Sequence, residues 1–182
     1  MSIRGTLNTA LSSVSPVLDL AKLTNIIVHN FINNDATGET TNRGNALARY
    51  ISKQVILDDG QDAEDLKVYV TGYKPPGTDI KVYTRMLNAN DETPFSEGLY
   101  TELELVTSNL IVSDPKLQTD FKEFEYKIPT TSLTGPSGEF QYTSGGNTYT
   151  GFKYFAVKIV LLSSDTSVVP RLLDYRAIAL QI

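Results

Sequence analysis

Residues 66–85 read LKVYVTGYKPPGTDIKVYTR, and this stretch decides the fold class of the chain. On either side of a central turn every second residue is aliphatic, which is the period of a β-strand with one buried face. Pro75 and Pro76 fix the backbone φ at two successive positions, and Gly77 can supply the positive φ that a type II turn needs. We therefore predict two strands that reverse at this turn and pair with each other.

The alternate positions of these two strands carry long amphipathic side chains. They are Lys67, Tyr69, Lys81, Tyr83 and Arg85. Such side chains suit a half-covered sheet better than a dry core, because their stems are apolar and their tips are polar. If the strands pair, these side chains share one face, and we predict that this face contacts another molecule.

Composition limits what the protein can be. Its 182 residues predict one domain with a sizeable core, to which an arm could be appended. A formal charge of -5 argues against nucleic acid as a partner, because phosphate binding needs clustered Lys and Arg. The absence of cysteine excludes disulfides and thiolate metal sites. No run of about 18 apolar residues and no signal-peptide pattern occur, so we expect synthesis in a cytoplasm and no membrane partner.

The first 45 residues differ from the rest of the chain. They are rich in Asn, Ser and Thr, and residues 33–45 have the composition of a loop. Apolar residues at nearly helical spacing precede this loop, although β-branched neighbours leave helix and strand both open. These residues are Leu20, Leu23, Ile27 and Phe31. We predict an N-terminal assembly arm, residues 1–45, that orders against an adjacent subunit and buries this apolar block.

From residue 46 to 182, turn signals separate short strand-like runs, which is typical of an all-β fold. We predict an antiparallel β-sandwich of jelly-roll-like type. The run 152–162 is apolar on both faces from Tyr154 onward, where Lys158 is the only charge, so it is expected to be a covered central strand. The alternation also predicts the residues of the core. These are Val68, Val70, Ile80, Val82, Phe155, Val157 and Ile159.

Few residues suggest catalysis or metal binding. His29 is the one histidine and belongs to no nucleophile motif, so a catalytic relay is not expected. A group of carboxylates between residues 58 and 65 lacks the order of a calcium-binding EF-hand loop and is interpreted as a solvated turn. The group consists of Asp58, Asp59, Asp62, Glu64 and Asp65. We predict no enzyme, no cofactor and no metal site.

The tyrosines leave a second functional class open. Tyr69, Tyr73, Tyr83 and Tyr100 could form an aromatic platform for sugars, and they could equally pack at the rim of a protein interface. The alternative to a structural role is therefore a carbohydrate-binding β-sandwich module that recognises a host surface. A glycan is the less favoured partner.

Several segments resemble a β-sandwich segment of virion structural proteins of contractile-tailed bacteriophages, which are tail and baseplate components. They are SPVLDL (15–20), ARYISK (48–53), DLKVYV (65–70), KPPGTDIKVY (74–83), FKEF (121–124) and LDYRAIAL (173–180). The resemblance implies a structural component of the tail, baseplate or neck that acts through protein–protein assembly. It also implies other virion proteins as partners, a homo-oligomer within the particle and no catalytic residues.

Overall fold

The computed structural model describes residues 30–42 and 44–182, and this part of the chain is built from β-strands. The strands are β1 (Arg49–Ile51), β2 (Val55–Ile56), β3 (Asp65–Tyr73), β4 (Thr78–Leu87), β5 (Tyr100–Glu102), β6 (Glu104–Leu105), β7 (Lys122–Lys127), β8 (Gln141–Ser144), β9 (Asn147–Thr150), β10 (Tyr154–Ser163) and β11 (Arg171–Leu180). Two 3-10 turns lie at Phe95–Glu97 and Thr130–Ser132. Among the residues described, no helix has the length and apolar composition needed to span a bilayer.

Nine of the described strands form two antiparallel sheets that face each other, and β8 and β9 form a separate two-stranded sheet. The first sheet has the order β1-β10-β4-β5, with β2 also pairing with β10, and the second has the order β11-β3-β7-β6. Side chains from both sheets meet in one core, and the Tyr126 hydroxyl of β7 donates a hydrogen bond of 2.7 Å to the Ile80 carbonyl of β4. The predicted all-β antiparallel sandwich is confirmed.

The core residues predicted from the period-two alternation are confirmed. All seven predicted core residues belong to the buried cluster between the sheets. Strand β10 lies between β1 and β4 and is buried along both faces, as its apolar run predicts. Val157 and Ile159 face the core, while Lys158 and Val160 lie on the outer face, where further residues cover them. The strand needs an apolar residue at almost every position because it has no wet side.

The predicted pairing of the two strands in residues 66–85 is wrong. Strand β3 belongs to the second sheet and β4 to the first, so residues 74–77 form an inter-sheet crossing. The turn itself is as predicted, since Gly77 has φ 82° and the Thr78 amide donates to the Pro75 carbonyl at 3.1 Å. Lys74 pairs with Ser113 instead of with the start of β4. Period two identifies a buried face but does not identify the neighbouring strand.

Two strand-like runs of the sequence are each divided in the structure. Residues 47–57 form β1 and β2, and between them Ser52 donates through its amide to the Val157 carbonyl and accepts through its hydroxyl from the Val157 amide. The run 100–107 becomes β5 in the first sheet and β6 in the second. Gly145 and Gly146 have φ of 56° and 84° and join β8 to β9 in a hairpin.

Candidate functional site

The outer face of the first sheet is covered by residues 33–42 and 44–46, which we call the cover segment. Asn33 bridges to Leu162 beside the end of β10, and Ala36 and Ala46 pack on the outer-face cluster around Val160. The described part of the predicted arm therefore lies against the sandwich of its own chain. Leu20, Leu23, Ile27 and His29 lie outside the described residues, so assembly through the arm, and its boundary at residue 45, stay predictions.

A buried ion pair holds the cover segment to the sheet. Lys158 Nζ lies 2.7 Å from Glu39 Oε2, and both side chains are 2% exposed. The ammonium also lies 4.6 Å from the ring centroid of Tyr83 and 4.1 Å from that of Tyr100, at cation–π distance. Glu39 Oε1 accepts a 2.6 Å hydrogen bond from the Ala46 amide, which closes the segment on itself.

The surroundings of Glu39 favour its charged form. Burial alone raises the pKa of this carboxyl. The hydrogen bonds from Lys158 and from the Ala46 amide, with the charges of Lys158 and Arg49, outweigh burial and hold the pKa below its ordinary value. The carboxylate is therefore a fixed negative charge beneath the cover segment.

The predicted contact residues of β4 lie on this covered face. Tyr83 is 5% exposed and stands directly across from Lys158 in the paired strand, so it is part of the packing under the cover segment. Burial raises the pKa of Tyr83 above its ordinary value. Lys81 forms a 2.9 Å ion pair with Glu102 on β5 and remains partly exposed. Tyr83 therefore packs within the chain, Lys81 remains partly exposed, and a contact of these residues with another molecule stays a prediction.

The predicted contact residues of β3 lie on the opposite face of the sandwich. Lys67 lies 3.5 Å from Glu125 in the paired strand β7. Tyr69 contacts the Arg176 guanidinium, whose centre is 5.3 Å from the ring centroid. The prediction that Lys67, Tyr69, Lys81, Tyr83 and Arg85 share one face is therefore wrong, because the two strands belong to different sheets. The outer face of the second sheet carries charges of both signs, which pair as Lys67 with Glu125 and as Arg176 with Glu123.

The sugar platform predicted from four tyrosines does not form. Tyr73, Tyr83 and Tyr100 are buried, and Tyr69 lies across the sandwich from Tyr83. Among the described residues, no group of three or more His, Asp or Glu side chains is arranged to hold a metal ion. Of the carboxylates between residues 58 and 65, Asp59 forms an ion pair with Lys153.

Sequence reasoning missed an exposed apolar surface on the connection between β6 and β7. We call residues 106–117 of this connection the apolar loop. Leu110 at its tip is 90% exposed, and four further large apolar side chains of the loop are also exposed. They are Val106, Ile111, Val112 and Leu117. The signal in the sequence is SNLIVSD (108–114), an apolar triplet flanked by polar residues and lacking strand alternation.

The apolar loop is fixed at one point to the inter-sheet crossing. Ser113 is 0% exposed, its amide donates to the Lys74 carbonyl at 2.8 Å, and its hydroxyl accepts from the Lys74 amide at 2.9 Å. Lys74 is itself buried, with Nζ 3.5 Å from Asp79 and 5.2 Å from the Phe124 ring centroid. The hydrogen bonds to the buried Lys74 therefore hold the adjacent apolar triplet in a fixed position on the sandwich.

Comparisons with known proteins found no relative. No family model matches the sequence, and neither curated proteins nor solved structures match it. The resemblance to virion structural proteins therefore rests on the quoted sequence segments. In the structure, two of these segments form most of β3, the inter-sheet crossing and the first part of β4. Both segments are therefore part of the strand framework of the sandwich.

Proposed function

We propose that this chain is a structural component of a contractile-tailed bacteriophage particle, in the tail, baseplate or neck, and that it acts through protein–protein assembly. The observation that carries the proposal is the exposed apolar triplet Leu110, Ile111 and Val112. Consecutive apolar side chains facing water are characteristic of surfaces that another protein covers. The resemblance of the framework segments to virion proteins is the reason for proposing a phage particle as the assembly.

The anchoring of the apolar loop supports a contact role. A surface that is already ordered loses less conformational entropy on binding than a mobile one. Ser113 and Lys74 provide this order through two backbone-directed hydrogen bonds. The loop therefore offers apolar area that can be buried at low entropic cost, which suits the many weak contacts of a large assembly.

The partners in this proposal are other virion structural proteins and further copies of this chain. The protein is made in the host cytoplasm and ends in the virion. The outer face of the second sheet provides a second, polar surface, where Arg176 Nη2 lies 2.6 Å from Glu123 Oε2 and contacts Tyr69. Arg and Tyr are enriched at protein interfaces, which favours assembly through this face as well.

Mass spectrometry of purified particles from the phage that encodes this chain tests the proposal. We expect the chain in stoichiometric amounts. Leu110→Asp should lower its incorporation while its thermal midpoint stays unchanged, because the side chain packs on nothing buried. Leu47→Asp is the matched control, since Leu47 is also exposed but precedes β1 of the first sheet. Absence of the chain from particles would overturn the proposal, and equal loss in both variants would exclude the apolar loop as the contact.

A further inference from the structure

A cleft of about 450 Å³ opens on the first sheet, between Asn42, Gly44 and Asn45 of the cover segment and the 3-10 turn Phe95–Glu97. Arg49 and Arg85 line it, together with the neutral polar side chains of Asn42, Asn45 and Ser96. None of the described residues that line it is acidic. The cleft lies beside the buried ion pair of Lys158 and Glu39, whose charges balance each other.

Arg85 is the least satisfied cation of the cleft. Its guanidinium lies over Tyr100, 4.3 Å from the ring centroid, and 5.6 Å from the ring centroid of Phe95. It forms no ion pair with a described carboxylate. Its Nε is shielded from solvent and has no hydrogen-bond partner in the described part of the chain. A buried donor without an acceptor destabilises a protein, so such a group calls for a ligand or another explanation.

Arg49 adds a second positive charge to the same cleft. Its Nη1 donates to the carbonyls of Gly44 and Ala46, at 2.9 and 3.1 Å, which leaves its other nitrogens available. The nearby Glu39 carboxylate is already bonded to Lys158 and to the Ala46 amide. Arg49 and Arg85 line the cleft with two positive charges, and Glu97 of the bounding 3-10 turn carries one negative charge, so the net charge is positive and attracts anions.

We propose that this cleft binds a small hydroxylated organic anion, a sugar acid or a sugar phosphate, with its oxyanion seated on Arg85 and Arg49. Carboxylate and phosphate oxygens match the planar fork of an arginine, and Arg85 forms no ion pair with a described carboxylate that would compete for them. Asn42, Asn45 and Ser96 supply the neutral donors and acceptors that hydroxyl groups require. The volume lies within the range of small-molecule sites.

This inference is independent of the assembly role. The cleft is formed by the cover segment, β4 and the 3-10 turn, whereas the apolar loop lies between β6 and β7. Failure to bind a sugar anion would not affect the proposed protein contact through the apolar loop. Failure of that protein contact would likewise not affect the proposed binding in the cleft.

Titration of the full chain with D-glucuronate and with glucose 6-phosphate, followed by NMR, tests the inference, with glucose as the neutral control. We expect at least one charged sugar to bind in a salt-dependent manner and glucose not to bind. Arg85→Met should weaken the affinity by about tenfold or more, since it removes a charge-assisted hydrogen bond. Arg85→Lys keeps the positive charge and should lose less affinity than Arg85→Met.

Arg171→Met is the matched control variant. Arg171 also stacks on a tyrosine and a phenylalanine, 4.6 Å from the Tyr73 centroid and 5.8 Å from the Phe121 centroid, but it lines a different cleft. Binding should be unchanged in this variant. Binding of one charged sugar alone identifies the ligand as a sugar acid or as a sugar phosphate, and binding of both supports the shared oxyanion.

Three results would overturn the inference. They are failure of both charged sugars to bind at millimolar concentration, equal binding of glucose, and unchanged affinity in Arg85→Met. Inorganic phosphate that binds as tightly as the charged sugars would mean an adventitious ion only. If circular dichroism shows that Arg85→Met is unfolded, Arg85→Lys and the salt dependence of the parent decide the same question.

Discussion

Lys158 and Glu39, 119 residues apart in the sequence, form an ion pair of 2.7 Å across the covered outer face of the first sheet. Both charged groups are buried, and a buried charge lowers the free energy of unfolding unless it has a partner of opposite charge. Glu39 receives the ammonium and the Ala46 amide, while two tyrosine rings surround the ammonium. The cover segment is therefore held to the sandwich by this pair as well as by its few small apolar contacts.

Breaking the pair from either side should destabilise the fold strongly. We expect Lys158→Met or Glu39→Gln to lower the free energy of unfolding by about 3–5 kcal/mol, because each leaves an uncompensated buried charge or polar group. The double variant should lose less than the sum of the two single losses. Urea unfolding of the four proteins measures this coupling, and strictly additive losses would contradict it.

The same pair should make stability depend on acid pH. The pKa of Glu39 is held below its ordinary value of 4.5 in the folded chain, so the folded state releases this proton at a lower pH than the unfolded state does. The resulting stabilisation is fully present above pH 4.5 and is lost as the pH falls through the folded pKa. The stability difference between the parent and Glu39→Gln should therefore shrink in acid.

Urea unfolding at pH 7 and at pH 3 tests this dependence. Glu104→Gln is the control, because Glu104 pairs with Lys127 at 4.0 Å on an exposed surface, where an ion pair contributes little. A difference between the parent and Glu39→Gln that is constant across this range would contradict the prediction.

The N-terminal boundary can be tested by two truncated chains. A chain that starts at Asn30 keeps Glu39 and should unfold at nearly the same urea concentration as the full chain. A chain that starts at Ala46 lacks Glu39 and leaves Lys158 without its carboxylate, so we expect a loss similar to that of Glu39→Gln. Equal midpoints for the full chain and both truncated chains would show that residues 1–45 are an arm that the sandwich does not need.

The core assignment is tested by placing the same carboxylate on two valines. Val157 faces the core from β10 and is 1% exposed, whereas Val106 lies in the apolar loop and is 49% exposed. Val157→Asp should abolish soluble folding, since a buried unpaired charge costs several kcal/mol against a total stability of about 5–15 kcal/mol. Val106→Asp should keep its melting midpoint within a few degrees. Thermal melts of both variants, followed by circular dichroism, test the assignment of Val157 to the core.

The buried faces could be predicted from the sequence because strand alternation is local. Val68 and Ile80 are both core residues, as period two requires. Their strands nevertheless lie in different sheets, because the pairing of a strand depends on contacts that no local pattern encodes. Nothing near Lys158 in the sequence pointed to Glu39, which is 119 residues away. The cleft lined by Arg49 and Arg85 was missed for the same reason, whereas the apolar loop had a local signal in residues 108–114.

The last prediction concerns Gly77, which allows the chain to cross between the sheets. Its φ of 82° is one that a residue with a Cβ rarely adopts, and an added Cβ would lie 3.2 Å from the Ser164 hydroxyl. Gly77→Ala should therefore lower the free energy of unfolding by about 1–2 kcal/mol.

Gly38→Ala is the matched control for Gly77→Ala. Gly38 does not have a positive φ, and an added Cβ would meet the Asn45 Cβ at an ordinary contact distance of 3.7 Å. Its unfolding free energy should change by no more than about 0.5 kcal/mol. Because the crossing also anchors Ser113, Gly77→Ala should speed amide hydrogen exchange at Ser113, whose N–H donates to the Lys74 carbonyl. Unchanged exchange in Gly77→Ala would mean that the apolar loop holds its place without the crossing.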